Sequence, residues 1–238
     1  MITFSQLGNM GRLGNQLFQI ASTLGYARKY KQSVEFPKWS YKNDFNFNFE
    51  PSFEFINTVI SELDILNYTE LPKYDPRMLN VSLNGYLQSE KYFENVKAEI
   101  FNIFKTESTD LNSGFVHLRF GDYVGKQEYH PLQSKEYYVE GMKLLNFDHY
   151  YCFSDDIESC KEMFKEDSRI EFVSGNSEIQ DLKLMSRCKG AVIANSSFSW
   201  WGAYLGNHKN VIIPKTWFGP AYNWFKIEDR LCEGWRAI

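Results

Sequence analysis

The residues with the clearest chemical capacity lie at the junction of a predicted strand and a predicted helix, at Asn195, Ser196 and Ser197. The apolar run 190–194 is typical of a strand covered on both faces, and serine is a good N-cap for a helix that begins near Phe198. A helix start offers unpaired N–H groups and a partial positive charge, which together bind phosphate. An ordinary capped helix that buries the following tryptophan pair is the alternative.

A second polar strand end carries an imidazole, a guanidinium and a carboxylate. Segment 115–118 is a predicted strand, and the alternation of its side chains places His117 and Arg119 on the same side. Arginine presents a fork of N–H groups that matches the oxygens of a phosphate. The alternative is a structural ion pair between Arg119 and Asp122.

Two further segments could carry chemistry and also have structural explanations. Asp155 and Asp156 could bind Mg²⁺ or Mn²⁺, but no third hard ligand is near them in sequence, and N-capping of a helix at Ile157 explains them. The glycine-rich turn 11–16 lacks dinucleotide and P-loop spacing. Either it contacts a diphosphate or a sugar hydroxyl through Asn15, or it is a tight turn and nothing more. The histidines show no zinc-site spacing, and no G-x-S-x-G motif supports serine hydrolysis.

Short apolar strands alternate with helical patterns from residue 114 onward, which predicts a parallel sheet with helices on both faces. The strands are predicted at 115–118, 150–153, 170–173, 191–194 and 211–213, and the helices at 135–145, 157–164, 178–188 and 198–206. Ligands collect at the carboxyl ends of such strands, so we expect the polar residues above to meet on one rim.

The first part of the chain is less regular. Its predicted elements are strands at 2–7, 34–36 and 81–86 and helices at 15–30 and 89–104, and no clear pattern emerges over 38–80. The polar stretch 105–113 is the best candidate for a linker. We therefore predict an α/β protein with two domains, 1–108 and 109–238.

Composition argues against several classes of protein. A net charge of −4 over 238 residues gives no reason to expect nucleic acid as a partner. Four cysteines without C-x-x-C spacing are typical of buried thiols in a reducing compartment. The N-terminus has no signal-peptide pattern and no stretch approaches the length of a transmembrane helix. A cytoplasmic location is expected, with peripheral membrane association left open.

Six segments, taken in order, resemble the α-1,2-fucosyltransferase family. They are GRLGNQLFQ (11–19), GYLQSE (85–90), HLRFGDY (117–123), FSDD (153–156), DLKLMS (181–186) and NSSFSWWGA (195–203). The resemblance implies a GT-B architecture, with an acceptor-side Rossmann-like domain at 1–108 and a more regular donor-binding one at 109–238 facing a cleft. The C-terminal tail could pack back on the first domain. It also implies transfer of L-fucose from GDP-β-L-fucose to a terminal galactose, with inversion and with no metal or other cofactor.

The resemblance also assigns roles to single residues. It implies that the catalytic residues are Arg119 and Asn15, and that the donor is held by Gly14, His117, Asp122, Asp155, Asp181, Asn195, Ser196, Ser197 and Phe198. Arg119 would hold the β-phosphate, together with Ser197 and the N–H of Phe198. His117 and Asp181 would recognise guanine.

Several points stay open in the sequence. Phe120 stands where several relatives have a second basic residue, so extra charge compensation is not expected there. A base near the attacking hydroxyl would help the reaction, and the candidates are His130, Glu90, Asp122 and Asp44. The alternatives to a fucosyltransferase acting on galactose are another acceptor, such as a protein or a different glycan, another nucleotide sugar, or a non-catalytic protein that binds glycans or nucleotide sugars.

Overall fold

The computed structural model describes residues 1–51, 55–104 and 111–238. It contains two compact units, Met1–Lys105 and Thr106–Ile238. The domain boundary predicted between residues 108 and 109 lies outside the described residues, and the assignment of acceptor and donor roles to the two domains stays a prediction. Within the described ranges, no helix combines the length and apolar character needed to cross a bilayer.

The first unit is built on a three-stranded parallel sheet with the order β1-β3-β2. Its elements are β1 (Ile2–Thr3), α1 (Leu13–Lys29), β2 (Thr58–Ser61), β3 (Val81–Asn84) and α2 (Lys97–Ile103). Ile2 and Thr58 both pair with Val81, which makes β3 the central strand. Most of α1 is buried, and the helix begins two residues before its predicted start.

The strands of the first unit are shorter than predicted. The strand expected at 2–7 ends at Thr3, because the chain then turns and the Leu7 N–H donates to the Phe4 carbonyl at 3.0 Å. The strand expected at 34–36 is reduced to isolated bridges. β2 is absent from the predicted elements, since its four residues expose three side chains at least in part and carry no apolar run.

The single helix predicted at 89–104 is broken, and two 3-10 turns precede α2. The cause is close packing against α1. A Cβ added at Gly25 would lie 2.2 Å from the carbonyl oxygen of Tyr92, and the side-chain amide of Asn95 donates to the Gly25 carbonyl at 3.0 Å. This contact holds the segment outside a regular helix although its apolar spacing is helical.

The second unit contains a six-stranded parallel sheet with the order β6-β5-β4-β7-β8-β9. The strands are β4 (Gly114–Leu118), β5 (Tyr150–Ser154), β6 (Ile170–Phe172), β7 (Gly190–Val192), β8 (Asn210–Ile213) and β9 (Trp235–Ala237). Numbered from β4, this is the order 3-2-1-4-5-6 of doubly wound nucleotide-binding folds, in which the chain reverses its direction of progress between the first and fourth strands. The switch point lies between β4 and β7, which confirms the predicted α/β class.

Four helices connect the strands, within about one residue of their predicted bounds. They are α3 (Lys135–Leu145), α4 (Ile157–Met163), α5 (Glu178–Arg187) and α6 (Ser197–Leu205). Side chains cap the starts of α3, α4 and α5. Ser134 accepts from Tyr137 N–H at 3.3 Å, and Ser177 forms a capping box with Gln180.

The C-terminal tail, for which packing on the first domain is one expectation, adds an edge strand to the second sheet. Val211 pairs with Trp235 and Ile213 with Ala237. The Trp235 indole N–H also donates to the His208 carbonyl at 3.0 Å and fixes the strand from its side chain. β9 is absent from the predicted elements because three residues that include an arginine give no strand pattern.

Candidate functional site

The switch point of the second sheet brings two polar strand ends together. β4 is buried along its whole length and leads directly into Arg119, while β7 leads to Asn195 and the start of α6. β4 and β7 are neighbouring parallel strands, so both segments emerge at the same edge of the sheet. Ligands of doubly wound folds bind outside the carboxyl ends of strands at this point.

Arg119 is fixed by two carboxylates at this edge. Its Nη2 lies 2.5 Å from Asp122 Oδ1, and its Nη1 lies 2.8 Å from Asp155 Oδ2. The guanidinium also lies 5.6 Å from the centre of the Tyr123 ring. The structural ion pair with Asp122 is thus present, and a second one accompanies it. A guanidinium has five N–H groups, so these two contacts leave donors that can reach an anion.

Asp155 orients both Arg119 and the turn after it. Its Oδ1 accepts from the Phe120 N–H at 2.9 Å. Gly121 has φ +24°, and a Cβ there would lie 2.2 Å from Asp155 Oδ2, so the close approach requires glycine. Asp155 therefore acts through Arg119 in this structure, and direct contact between Asp155 and a donor stays a prediction.

Asp156 is an N-cap, as the sequence indicates. Its carboxylate accepts from the Ser159 N–H at 3.1 Å and from the Ser159 hydroxyl at 2.6 Å. These hydrogen bonds hold the pKa of Asp156 below its usual value. Across the described part of the chain, no group of three or more His, Cys, Asp or Glu side chains is arranged to hold a metal ion. That the reaction needs no metal stays a prediction.

His117 is a buried, neutral imidazole with an unused ring nitrogen. Its Nδ1 has no hydrogen-bond partner among the described residues, and its ring lies 5.9 Å from the ring of Phe198. Burial, helped by the positive charge of Arg119, lowers the pKa of His117 to about 3. An orphaned buried nitrogen costs free energy unless a ligand satisfies it. His117 is therefore suited to bind a neutral polar group such as the edge of a nucleobase.

The start of α6 supplies oriented N–H groups at the same edge. The helix begins at Ser197, and Ser196 occupies the N-cap position with extended φ and ψ of −135° and 128°. Its hydroxyl makes no capping hydrogen bond, which differs from what a serine cap predicts. The tryptophan pair is buried as the alternative interpretation requires, and Trp200 Nε1 donates to the Arg230 carbonyl at 2.8 Å. The two interpretations are compatible, because the apolar face anchors the helix while its N-terminus stays polar.

Asn195 holds neighbouring loops against this helix start. Its side-chain NH₂ donates to the carbonyls of Pro131 and Trp217 at 3.1 and 3.0 Å. Its Oδ1 accepts from Gln133 at 3.2 Å, and its backbone carbonyl accepts from the Tyr123 hydroxyl at 2.9 Å. Both amide donors are thus used within the protein. Sequence reasoning missed this positioning role, because the partners come from distant loops.

Asp181 lies in the first turn of α5, a helix that packs against α6. Its Oδ1 accepts from the side-chain amide of Asn176 at 3.1 Å. Burial raises the pKa of Asp181, and the bond from Asn176 only partly opposes that effect. A desolvated carboxylate is well suited to accept hydrogen bonds from a guanine edge, and this role stays a prediction.

Gly14 and Asn15 belong to the first unit, at the start of α1. The Oδ1 of Asn15 accepts from Gln88 Nε2 at 2.7 Å, so two of the resembling segments meet here. The glycine-rich turn is held by the helix itself, since Gln16 and Gln19 donate to the carbonyls of Gly11 and Met10 at 3.0 and 2.9 Å. These glutamines are scaffold residues that sequence reasoning did not assign.

The base candidates separate between the two units. Glu90 and Asp44 belong to the first unit, where Glu90 pairs with Lys97 at 2.8 Å. Asp122 and His130 belong to the second unit. The His130 ring stacks on Tyr123 with centroids 4.7 Å apart and an interplanar angle of 19°. Asp122 and His130 therefore both lie in the surroundings of Arg119.

Comparison with known proteins gives a consistent set of matches. The sequence profile described as glycosyl transferase family 11 matches residues 8–238. An alpha-1,2-colitosyltransferase of Escherichia coli is 31% identical over 268 aligned positions, covering 87% of this chain and 90% of the relative. The O-antigen biosynthesis glycosyltransferase WbnK of Escherichia coli is 32% identical over 127 positions, covering 46% of this chain and 40% of the relative.

Two solved structures share the fold. The fucosyltransferase NodZ from Bradyrhizobium superimposes with a TM-score of 0.52 at 11% identity, covering 86% of this chain and 91% of that one. POFUT1 in complex with GDP-fucose superimposes with a TM-score of 0.50 at 13% identity, covering 89% and 96%. At these identities the similarity bears on the fold, and it agrees with the GT-B-like class implied by the sequence.

Proposed function

The chain belongs to glycosyl transferase family 11, and on that basis we propose that it transfers L-fucose from GDP-β-L-fucose to the 2-hydroxyl of a terminal galactose. The anomeric centre is inverted, and no metal is required. The observation that carries this proposal is the joint position of Arg119 and the α6 N-terminus at the switch point, next to the orphaned Nδ1 of His117.

The electrostatics of the reaction explain why these groups are needed. Breaking the bond between C1 of fucose and the β-phosphate oxygen leaves negative charge on GDP and positive charge on the sugar. A cation and oriented N–H donors that face the departing oxygen stabilise that charge. Arg119 supplies the cation. The hydroxyl of Ser197 and the N–H of Phe198 supply donors, and the dipole of α6 adds to them.

Recognition of the guanine base falls to His117 and Asp181. A neutral imidazole forms a hydrogen bond with the polar edge of a base without burying a charge. A carboxylate accepts hydrogen bonds from the ring N–H and the amino group that guanine presents. That Gly14 and Asn15 contact the sugar or the diphosphate stays a prediction of the family resemblance. In this proposal Asp122 and Asp155 hold Arg119 in position for the diphosphate.

The attacking hydroxyl must approach C1 from the side opposite to the departing phosphate. A base for its proton therefore stands apart from the guanidinium by the width of the reacting sugar. His130 is a candidate near this region, since both His130 and Arg119 contact the Tyr123 ring. Asp122 is less suited because it already pairs with Arg119. We therefore assign His130 as the base.

A second candidate donor is GDP-colitose. The E. coli relative that covers most of this chain is described as an alpha-1,2-colitosyltransferase. Colitose is fucose without the 3-hydroxyl group, so the two donors make the same demands on Arg119 and α6. A site for GDP-fucose needs a polar group of the protein that pairs with the 3-hydroxyl, and a site for GDP-colitose does not. A site built to bind a hydroxyl rejects the analogue that lacks it.

Release of GDP from a panel of donors tests the proposal. The panel is GDP-fucose, GDP-colitose, GDP-mannose and UDP-galactose, each with and without lactose and with and without EDTA. The proposal expects lactose-dependent release from GDP-fucose that EDTA does not reduce, and an α-1,2 linkage in the product by NMR. Preference for GDP-colitose would establish the second candidate. Binding of GDP-fucose without release under any condition would favour a non-catalytic binding protein, and loss of activity in EDTA would refute metal independence.

A further inference from the structure

A row of aromatic side chains leads from Arg119 to the surface of the second unit. We call it the aromatic row, and its members are Tyr123, His130, Phe218, Tyr222 and Trp224, with Tyr129 beside Tyr222. Successive ring centres are 4.7, 5.7, 5.4 and 5.7 Å apart from Tyr123 to Trp224. Every step is thus a direct ring contact, so the row is continuous with the candidate site.

The outer end of the row is open to solvent. Trp224 is 52% exposed and Tyr129 is 48% exposed. The two flank Tyr222, whose ring lies 5.4 Å from Tyr129 and 5.7 Å from Trp224. An exposed large aromatic side chain in contact with others marks a binding surface more often than a single exposed residue does.

The backbone holds the two loops of the row together. The Gly219 N–H donates to the Tyr129 carbonyl at 3.0 Å, and the Ala221 N–H donates to the Glu128 carbonyl at 2.9 Å. A Cβ at Gly219 would lie 2.2 Å from the Gln127 carbonyl oxygen. The two loops are thus so close together that a residue with a side chain does not fit at position 219. The exposed rings are therefore preorganised, which lowers the entropic cost of binding.

We propose that the outer part of the aromatic row, Tyr129, Tyr222 and Trp224, is a subsite for the acceptor glycan, which binds the sugar units behind the terminal galactose. This inference rests on the proposed function. A pyranose ring has an apolar face of C–H groups that packs on an aromatic ring, and its hydroxyls can bond to the tyrosine O–H and tryptophan N–H at the ring edges. Continuity with His130 places the terminal sugar at the inner end, next to the reacting centre.

Titration of the protein with two galactose-terminated glycans tests the subsite. Isothermal calorimetry in the presence of GDP compares the tetrasaccharide lacto-N-tetraose with the disaccharide lactose, for wild type, Trp224→Ala and Leu144→Ala. Leu144 is a control, since it is an exposed apolar residue in the last turn of α3, in the same unit as Trp224. We expect Trp224→Ala to weaken tetrasaccharide binding by about tenfold while lactose binding changes little, and Leu144→Ala to change neither.

Equal affinity of wild type and Trp224→Ala for the tetrasaccharide would overturn the subsite, as would equal affinity of wild type for both glycans. If thermal unfolding shows that Trp224→Ala is misfolded, Tyr129→Ala gives the same comparison. GDP release from GDP-fucose in the presence of lactose is measured separately on each variant. Absence of this release from the wild type would count against the proposed transferase function, while the calorimetric comparison would still decide whether the row binds glycan.

Discussion

Asp155 anchors Arg119 from a neighbouring strand, with Oδ2 of the carboxylate 2.8 Å from Nη1 of the guanidinium. Arg119 follows β4 and Asp155 follows β5, and these strands are paired in the sheet. The ion pair thus joins two strand ends at the point where the donor diphosphate is proposed to bind. Only 16% of the Arg119 side chain is exposed, so the pair is shielded from solvent more than most surface pairs.

Arg119→Ala is expected to lower kcat by about 100-fold or more, because Arg119 is proposed to supply a preorganised charge at the departing phosphate. GDP release from GDP-fucose in the presence of lactose measures the effect. Arg169→Ala is the matched control, since Arg169 forms an ion pair with Asp167 at 2.6 Å in the same unit. A variant at Arg119 with wild-type turnover would remove this residue from the mechanism.

Substitutions at Asp155 are expected to separate its two contacts. Asp155→Asn keeps an oxygen for the Phe120 N–H and loses the ion pair, so kcat should fall by about tenfold. Asp155→Ala loses both contacts, so its kcat should be lower still. Asp167→Asn serves as the control. Wild-type kcat values for both Asp155 variants, with unchanged KM for the donor, would show that Asp155 does not position Arg119.

The pH dependence of kcat tests His130 as the base. Burial lowers the pKa of His130, with a further lowering by Lys126 and partial opposition from Asp122, and the ring faces Tyr123 and Phe218. A lowered pKa keeps the imidazole neutral, so kcat should stay level through neutral pH and fall only below the ordinary histidine value of about 6.5.

His130→Gln should lower kcat by about 100-fold and abolish the fall at acidic pH. His149→Gln is the control, since His149 is a histidine of the same unit that lies 3.2 Å from Glu171. An unchanged acidic fall in the His130 variant would assign the titration to another group.

Asp181→Asn is expected to weaken GDP binding by about 10- to 100-fold, measured by calorimetry, since it replaces an acceptor that is proposed to pair with guanine. The same substitution is not expected to lower the stability of the protein. The pKa of Asp181 is raised in the folded state, so the native protein binds the proton more tightly and loses stability as pH rises through the unfolded and then the folded pKa. Near pH 7 the neutral amide should leave the free energy of unfolding unchanged or higher. A large loss of stability with unchanged GDP affinity would indicate a structural role.

Gly25→Ala tests the packing of α1. Helix propensity alone favours alanine by about 1 kcal/mol, but the new Cβ would lie 2.2 Å from the Tyr92 carbonyl oxygen. Steric overlap with backbone should prevail and lower the free energy of unfolding by about 3 kcal/mol in urea denaturation. Gly175→Ala, with φ +80° and no atom within 4 Å of the added Cβ, should cost about 1 kcal/mol. A stabilised Gly25 variant would contradict the close contact.

The sequence predicts the second unit better than the first for a physical reason. Four of its five predicted strands, β4, β5, β7 and β8, are apolar runs buried over most of their length. Ser134, Asp156 and Ser177 cap the helices that follow. β2 and β9 have few apolar side chains, so only pairing with neighbours defines them. The apolar spacing at 89–104 correctly predicts which side chains are buried. It does not give the backbone conformation, which depends on a tertiary contact at Gly25.

The candidate site divides in the same way. Residue chemistry points to Arg119, His117 and the start of α6 from sequence alone. The contacts of Asp155 and Asn195 depend on which loops become neighbours, and strand order cannot be read from a single sequence. The aromatic row has the same origin, since its members come from two segments separated by four helices and four strands.

The pairing of Arg119 with two carboxylates also bears on how an anion first meets this surface. One positive and two negative formal charges leave the cluster at −1, and the whole chain carries −4. Long-range attraction therefore gives an incoming nucleotide little steering, and its association rate should depend weakly on ionic strength. Discrimination between anions then rests on short-range contacts. Phosphate, polyphosphate and nucleic acid in the surrounding solution carry negative charge, but charge alone does not give them these contacts.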